Sequence, residues 1–145
     1  MGRIVVTEFV SMDGVMQAPG GEEFKYEGWT FDFDRGEDGG RFKAEEIFNA
    51  DAQLIGRVTY ESFAGAWPTY EQEWEGEMKE FAHRFNSMPK YVVSSTLTDP
   101  EWTNCTVIDG SGDVPAQVAS LKDEIDGNIL LAGSRRLAQE LLEHD

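Results

Sequence analysis

Three short stretches of the sequence place hydroxyl residues directly after an apolar run, and two of them add glycine and arginine where a helical pattern begins. They are Gly56-Arg57-Val58-Thr59, Ser94-Ser95-Thr96 and Ala132-Gly133-Ser134-Arg135. The start of a helix presents unpaired backbone N–H groups and the positive end of the helix dipole, and both favour phosphate. Arginine adds a planar fork for paired hydrogen bonds, and serine or threonine adds a hydroxyl. These residue types therefore indicate a phosphate-bearing ligand.

Each stretch taken singly also fits a purely structural interpretation, because glycine serves turns, hydroxyl residues cap helices and arginine is commonly solvated. The charge of the chain makes the arginines more informative. Asp and Glu number 28 against 12 Lys and Arg, which gives a formal net charge of −16. Such a field repels nucleic acid and anionic lipid, so we exclude both as partners. A ligand with several phosphates, such as a dinucleotide, would use all three stretches.

The elements that position these stretches alternate between strands and helices. Strands are predicted at residues 3–10, 52–56, 90–95, 104–108 and 128–132, and helices at about 38–49, 58–65, 71–86, 114–125 and 134–142. Residues 15–36 are predicted to form a long loop with several aromatic residues. The alternation predicts an α/β fold with a mostly parallel central sheet and helices on both faces. Because ligands bind beyond the carboxyl ends of such strands, the three stretches should line one site.

The composition predicts one globular domain over residues 1–145, with 40% hydrophobic residues. No apolar run approaches the roughly 20 residues of a membrane span, and no signal peptide is visible. The single cysteine, Cys105, cannot form an internal disulfide, so we expect a cytoplasmic protein. No metal site is predicted.

The common nucleotide-binding fingerprints do not occur. There is no G-x-G-x-x-G after the first strand and no G-x-x-x-x-G-K-[ST] anywhere. A doubly wound NAD domain and a P-loop ATPase are therefore disfavoured.

The same residues resemble the dihydrofolate reductase-like superfamily, in the branch related to the reductase domain of the bifunctional riboflavin-biosynthesis deaminase-reductase. The likeness covers nearly the whole chain, from IVVTEFVSMDG through LIGRVTYESF and YVVSST to ILLAGSRRLAQELL. GR-x-TYE-x-F followed by AWP, with S-M-D-G and APGG, is similar to small stand-alone reductase-like proteins of this branch. The resemblance implies a three-layer fold and an NADPH-dependent reductase acting on a small heterocyclic or carbonyl-type substrate. A homodimer is common in the resembled branch.

The resemblance also implies how the three stretches share the NADPH molecule. The cofactor phosphates would be held by Gly56, Arg57 and Thr59. The adenosine ribose and its 2′-phosphate would lie near Ser94 and Ser95, and the pyrophosphate and nicotinamide side near Gly133, Ser134 and Arg135.

The chain departs from the family pattern at three places. Ala132 stands where dihydrofolate reductases typically carry the first of two glycines, and Leu131 stands where riboflavin-pathway reductases commonly carry a glutamate. A ribosylaminopyrimidine substrate is therefore less expected. Family members generally continue past the last helix into strands that complete the sheet, so we expect a C-terminally incomplete domain that lacks those strands. A sheet edge that is covered in another way is the alternative.

Hydride transfer needs a proton source but no protein nucleophile. Asp13, beside Gly14 after the first strand, is the candidate proton donor, and an ordinary Asp-Gly turn is the equal alternative. Trp29 and Trp67 would wall an apolar substrate pocket, and core packing is the alternative for both. Two other functions stay open on the sequence: a non-catalytic dinucleotide-binding module or sensor, and a structural protein whose strand-end arginines are incidental.

Overall fold

A single parallel sheet organises the chain. The computed structural model describes residues 1–21 and 23–144. The strands are β1 (Arg3–Thr7), β2 (Ala52–Gly56), β3 (Lys90–Ser94), β4 (Cys105–Asp109) and β5 (Asn128–Ala132). Their order is β1-β5-β2-β3-β4, and all four neighbouring pairs are parallel. The predicted α/β class is confirmed, with a sheet that is wholly parallel over the described strands.

Helices cover both faces of this sheet and make it the middle of three layers. They are α1 (Gly36–Phe48), α2 (Arg57–Glu73), α3 (Gly76–Ser87), α4 (Val114–Glu124) and α5 (Arg135–Glu143), with a 3₁₀ turn at Trp29–Asp32. Alternate residues of β2 point to opposite cores: Leu54 packs with α4 and α5, and Ile55 packs with α1, α2 and α3. In the described ranges, no helix is both long enough and apolar enough to cross a membrane.

The predicted end of α2 at Gly65 is wrong. The helix continues through Gly65 and Pro68 to Glu73, although an interior glycine and proline oppose a helix by about 1 and about 3 kcal/mol. Aromatic packing against α3 outweighs this local preference, because Trp67 stacks on Phe85 with ring centroids 4.1 Å apart.

The single helix predicted over residues 71–86 is also wrong in one respect, because the chain divides it into α2 and α3. Trp74 leaves the helical conformation with φ −84° and ψ 159°. Gly76 then starts α3 with φ +59°, a value that glycine adopts at little cost. The first strand ends at Thr7 rather than at residue 10, level with Ala132 at the end of β5, its partner.

Lys90, the first residue of β3, is a buried cation with 0% of its surface exposed. Its Nζ donates to the backbone carbonyls of Asn86, Met88 (2.9 Å) and Thr103 (3.0 Å), and lies 4.3 Å from the Trp102 ring centroid. Because the Asn86 carbonyl belongs to the last turn of α3, the ammonium group caps the negative end of that helix. Burial lowers the pKa of Lys90 to about 8.

Candidate functional site

The carboxyl ends of the five strands bring the three polar stretches to one edge of the sheet. In strand order, the residues that follow the strands are Glu8, Gly133, Arg57, Ser95 and Gly110. Neighbouring strands lie about 4.8 Å apart, so the row spans about 20 Å. We call this row the carboxyl edge. The row is therefore long enough to contact an extended ligand.

The hydroxyl of Ser134 joins two of the predicted stretches directly. The Gly56 N–H donates to Ser134 Oγ over 2.8 Å, and Ser134 Oγ donates to Thr59 Oγ1 over 2.8 Å. Ser134 itself has φ +59° and precedes the first turn of α5. The start of α2 and the turn between β5 and α5 are therefore one hydrogen-bonded unit, although 75 residues separate Ser134 from Thr59.

Gly133 permits the close approach of this turn to α2. Its φ is +63°, and a Cβ atom there would lie 3.1 Å from Thr59 Oγ1 and 3.3 Å from Thr59 Cγ2. Any larger residue would be strained and would also push Thr59 away. The glycine expected from the sequence is thus required by the protein's own packing.

The start of α2 offers hydrogen-bond donors at the centre of the carboxyl edge. The N–H groups of Arg57, Val58 and Thr59 have no acceptor inside the helix, as at every helix start. The Arg57 side chain is 43% exposed, and its Nη1 lies 2.6 Å from Oε1 of Glu61, one turn later. An incoming phosphate would therefore compete with Glu61 for Arg57.

The end of β3 is a rigid turn. Ser94 Oγ is buried and accepts the N–H groups of Thr96 (3.1 Å) and Leu97 (2.9 Å), while Ser95 is exposed beside it. Sequence reasoning missed Gly110, whose N–H donates to the Ser94 carbonyl over 3.0 Å. A Cβ atom on Gly110 would lie 3.0 Å from the Ser94 and Ser95 backbone. The Asp-Gly pair directly after a predicted strand was the available signal.

Glu8, directly after β1, is the other residue that sequence reasoning missed. Its Oε1 is buried and has no hydrogen-bond partner in the described part of the chain. Burial raises the pKa of Glu8 to about 7, against the opposing effects of the Gly133 backbone and of Lys43. Lys43 Nζ donates to Thr7 Oγ1 over 2.7 Å and to Glu46 Oε2 over 2.8 Å. A lone carboxylate within the apolar run of TEFV was the available signal.

Asp13 lies in the exposed turn after β1. Its Oδ1 accepts the Ser11 hydroxyl over 2.5 Å, and Ser11 Oγ accepts the Val15 N–H over 2.9 Å. Gly14 follows with φ +88°. This geometry matches the Asp-Gly turn that was the alternative, and the role of Asp13 as proton donor stays a prediction.

The two tryptophans expected at a substrate pocket have different surroundings. Trp29 is half-buried in the 3₁₀ turn, and its Nε1 donates to the Gln17 carbonyl over 2.9 Å. Trp67 packs among the aromatic residues of α2 and α3, ten residues from Arg57 and so about 15 Å along the helix. Its packing gives Trp67 a structural role, and a substrate role for either tryptophan stays a prediction.

Arg135 begins α5, two residues after Gly133, and is exposed. Within residues 1–21 and 23–144 it forms no ion pair, and no group of three or more His, Cys, Asp or Glu side chains could hold a metal ion. Arg57 and Arg135 are thus exposed arginines at the starts of the two helices that Ser134 joins.

Comparison with known proteins places this architecture in a family. A family model of the RibD C-terminal domain matches residues 3–145. The chain belongs to this family. The RibD C-terminal domain is the reductase domain of the riboflavin-biosynthesis deaminase-reductase, within the dihydrofolate reductase-like superfamily, so the resemblance and the fold expected from the sequence are confirmed. Membership supports a reductase-type oxidoreductase with a small-molecule substrate. No curated protein matches the chain.

Proposed function

We propose that the protein is an NADPH-dependent reductase that transfers a hydride to a small heterocyclic or carbonyl-type substrate. The observation that carries the proposal is the hydrogen-bonded unit of Gly56, Ser134 and Thr59. It holds two helix starts side by side at the carboxyl edge of a parallel sheet, in a domain of the reductase family.

The strand order supports the assignment of cofactor parts to residues. Gly133 after β5 was assigned to the nicotinamide side, Arg57 after β2 to the phosphates, and Ser95 after β3 to the adenosine ribose. Since β2 lies between β5 and β3, these residues follow the linear order of a dinucleotide. Ser94 keeps the turn below Ser95 rigid, and Arg135 adds a second cation beside the phosphates.

The residues present fit this cofactor. Three N–H groups at the start of α2 and the Arg57 side chain supply donors for phosphate, in a chain whose net charge of −16 otherwise repels anions. Ser134 donates to Thr59 Oγ1, which leaves the Thr59 hydroxyl hydrogen free to donate to a ligand. Bound NADPH would supply the hydride, and the chain's own residues hold and orient it.

Thermal unfolding with NADPH, NADH, FMN or no ligand tests the cofactor. A ligand that binds only the folded protein stabilises it by RT ln(1 + [L]/Kd), so NADPH should raise the melting temperature more than NADH or FMN. Equal shifts with NADPH and NADH would argue against recognition of the 2′-phosphate. No shift with any ligand on a folded sample would contradict the proposal.

Two variants that should change NADPH affinity in opposite directions test the role of Arg57. Arg57→Ala should weaken NADPH binding by roughly 1.5–3 kcal/mol, the scale of a charge-assisted hydrogen bond. Glu61→Gln removes the competing carboxylate and should tighten binding a few-fold. Arg3→Ala is the matched control, because Arg3 is exposed at the opposite edge of the sheet and donates to Asn128 Oδ1 over 2.7 Å. Isothermal titration measures all three, and an unchanged Kd for Arg57→Ala would remove the role assigned to it.

A non-catalytic dinucleotide-binding module or sensor is the second candidate. The observation in its favour is Leu131, which is fully buried between the sheet, α4 and α5 at the position of the family's commonly found glutamate. Oxidation of NADPH with a panel of heterocyclic and carbonyl compounds separates the two functions. Tight NADPH binding without turnover across the panel would favour the sensor.

A further inference from the structure

Glu8 occupies the position on the carboxyl edge next to the turn that carries Gly133. The parallel pairing of β1 with β5 places Thr7 opposite Ala132, so the next residues, Glu8 and Gly133, are neighbours across the two strands. A buried carboxylate oxygen without a hydrogen-bond partner is rare, because leaving it unpaired is costly. Glu8 Oε1 is such an atom in the described part of the chain. A proton on Glu8, or a donor from a ligand, would remove that cost.

The charged groups around Glu8 do not offset its burial. Lys43 on α1 is the cation that faces it, and Lys43 is already engaged with Thr7 Oγ1 and with Glu46 Oε2 over 2.8 Å. From β5 the Gly133 backbone donates a hydrogen bond to the Glu8 carboxylate, which opposes the rise in its pKa without offsetting the effect of burial. Burial therefore dominates and brings the pKa of Glu8 to about 7, a value suited to an acid that must both give and regain a proton at neutral pH.

We infer that Glu8 is the acid beside the nicotinamide ring and the source of the proton that accompanies the hydride. This inference rests on the proposed NADPH-dependent function. The carbon of a substrate C=N or C=O bond accepts the hydride of NADPH with its electron pair, and the nitrogen or oxygen of that bond accepts the proton from Glu8. The Glu8 carboxylate left behind is reprotonated by water, so the substrate gains two hydrogens in total.

The charge of Glu8 gives a test that needs no substrate. NADP⁺ carries a positive charge on its nicotinamide ring that NADPH lacks. A Glu8 carboxylate beside the ring favours NADP⁺, whereas the neutral acid has no such preference. By linkage, the affinity for NADP⁺ relative to NADPH should rise with pH as Glu8 ionises.

Titrations of the native protein with NADP⁺ and with NADPH, from about pH 5.5 to about pH 8.5, measure this ratio. In the native protein the relative affinity for NADP⁺ should rise at least about fivefold, the scale of two opposite unit charges about 4 Å apart in bulk water, and by more in a less polar site. Glu8→Gln, which keeps the shape of the neutral acid, should give a ratio that does not change with pH. Glu45→Gln is the matched control, since Glu45 is an exposed carboxylate on α1, and it should keep the native slope.

The outcomes separate the failure of this inference from that of the proposed function. If both nucleotides bind and the native ratio is independent of pH, Glu8 does not face the ring, and this result needs no variant to fold. If Glu8→Gln keeps the native slope, another group is responsible; loss of the slope in Asp13→Asn instead would assign the role to Asp13. If neither nucleotide binds, the proposed function fails and this inference falls with it.

Discussion

Removing the Ser134 hydroxyl should lower the free energy of unfolding by about 2 kcal/mol. The hydroxyl accepts from the Gly56 N–H and donates to Thr59 Oγ1, both over 2.8 Å in a partly buried setting. A neutral hydrogen bond of this kind contributes about 1 kcal/mol net, and Ser134→Ala loses both. Urea unfolding followed by tryptophan fluorescence measures the change, with the slope against urea expected to stay constant.

Two further variants separate the contributions of the hydrogen bonds and of the backbone conformation to the stability lost in Ser134→Ala. Thr59→Val keeps the shape of the side chain and removes the acceptor, so it should cost about 1 kcal/mol, and the double variant should show a coupling of similar size. Ser134→Gly loses the same hydrogen bonds but relieves the backbone at φ +59°, so it should be about 1 kcal/mol more stable than the alanine variant.

Ser120→Ala is the control for removing a serine hydroxyl, because Ser120 is exposed and donates to the carbonyl of Ala116 in its own helix over 3.1 Å. Its free energy of unfolding should stay within about 0.5 kcal/mol of that of the native protein. Strictly additive losses for Ser134→Ala and Thr59→Val would refute the direct bond between the two hydroxyls. If Ser134→Ala changes the free energy of unfolding by less than about 0.5 kcal/mol, the Ser134 hydroxyl does not link the start of α2 to the turn before α5.

Four other outcomes are expected. Lys90→Met should cost about 3 kcal/mol in urea unfolding, since it leaves three backbone carbonyls without their donor. Gly133→Ala should cost about 2 kcal/mol through its positive φ and its 3.1 Å contact with Thr59, and should also weaken NADPH binding by titration. Because the pKa of Glu8 is raised in the folded protein, the protonated acid contributes its full stabilisation of the fold below about pH 4.5. This contribution to the free energy of unfolding is lost as the pH rises through about 7. Calorimetry should therefore show Glu8→Gln matching the native protein at low pH and exceeding it by about 1–2 kcal/mol above pH 7, after allowance for solvent screening. Trp67→Ala should cost about 3 kcal/mol in urea unfolding and leave NADPH affinity unchanged, whereas lost turnover at full stability would support a substrate role.

The elements that the sequence predicted most closely are those whose local pattern agrees with their final surroundings. The bounds of β2 and β5 match the predicted 52–56 and 128–132 because both strands are buried on both faces and therefore appear as short apolar runs. The end of α2 could not be predicted locally, because Gly65 and Pro68 oppose the helix and aromatic packing, including that against α3, maintains it.

In the candidate site, too, the sequence predicted what a local pattern marks and missed what depends on contacts between distant elements. Gly56, Thr59, Gly133 and Ser134 could be singled out because each follows an apolar strand, and the structure brings them together. Their particular hydrogen bonds could not be predicted, since they depend on β5 lying beside β2. The unusual state of Glu8 depends on burial by other elements, which no local pattern reports.

The strand order has a consequence for how the chain reaches its folded state. β5 is the last of the described strands along the chain, yet it lies between β1 and β2, and Thr7 pairs with Ala132 far along the sequence. During synthesis, β1 and β2 must therefore wait for β5 before the sheet can close, and such long-range pairing slows folding. Glu8 and Gly133 become neighbours only when β5 is inserted, so a chain released before residue 132 would lack the part of the carboxyl edge that we propose for the nicotinamide side. The proposed cofactor site is therefore complete only once β5 lies between β1 and β2.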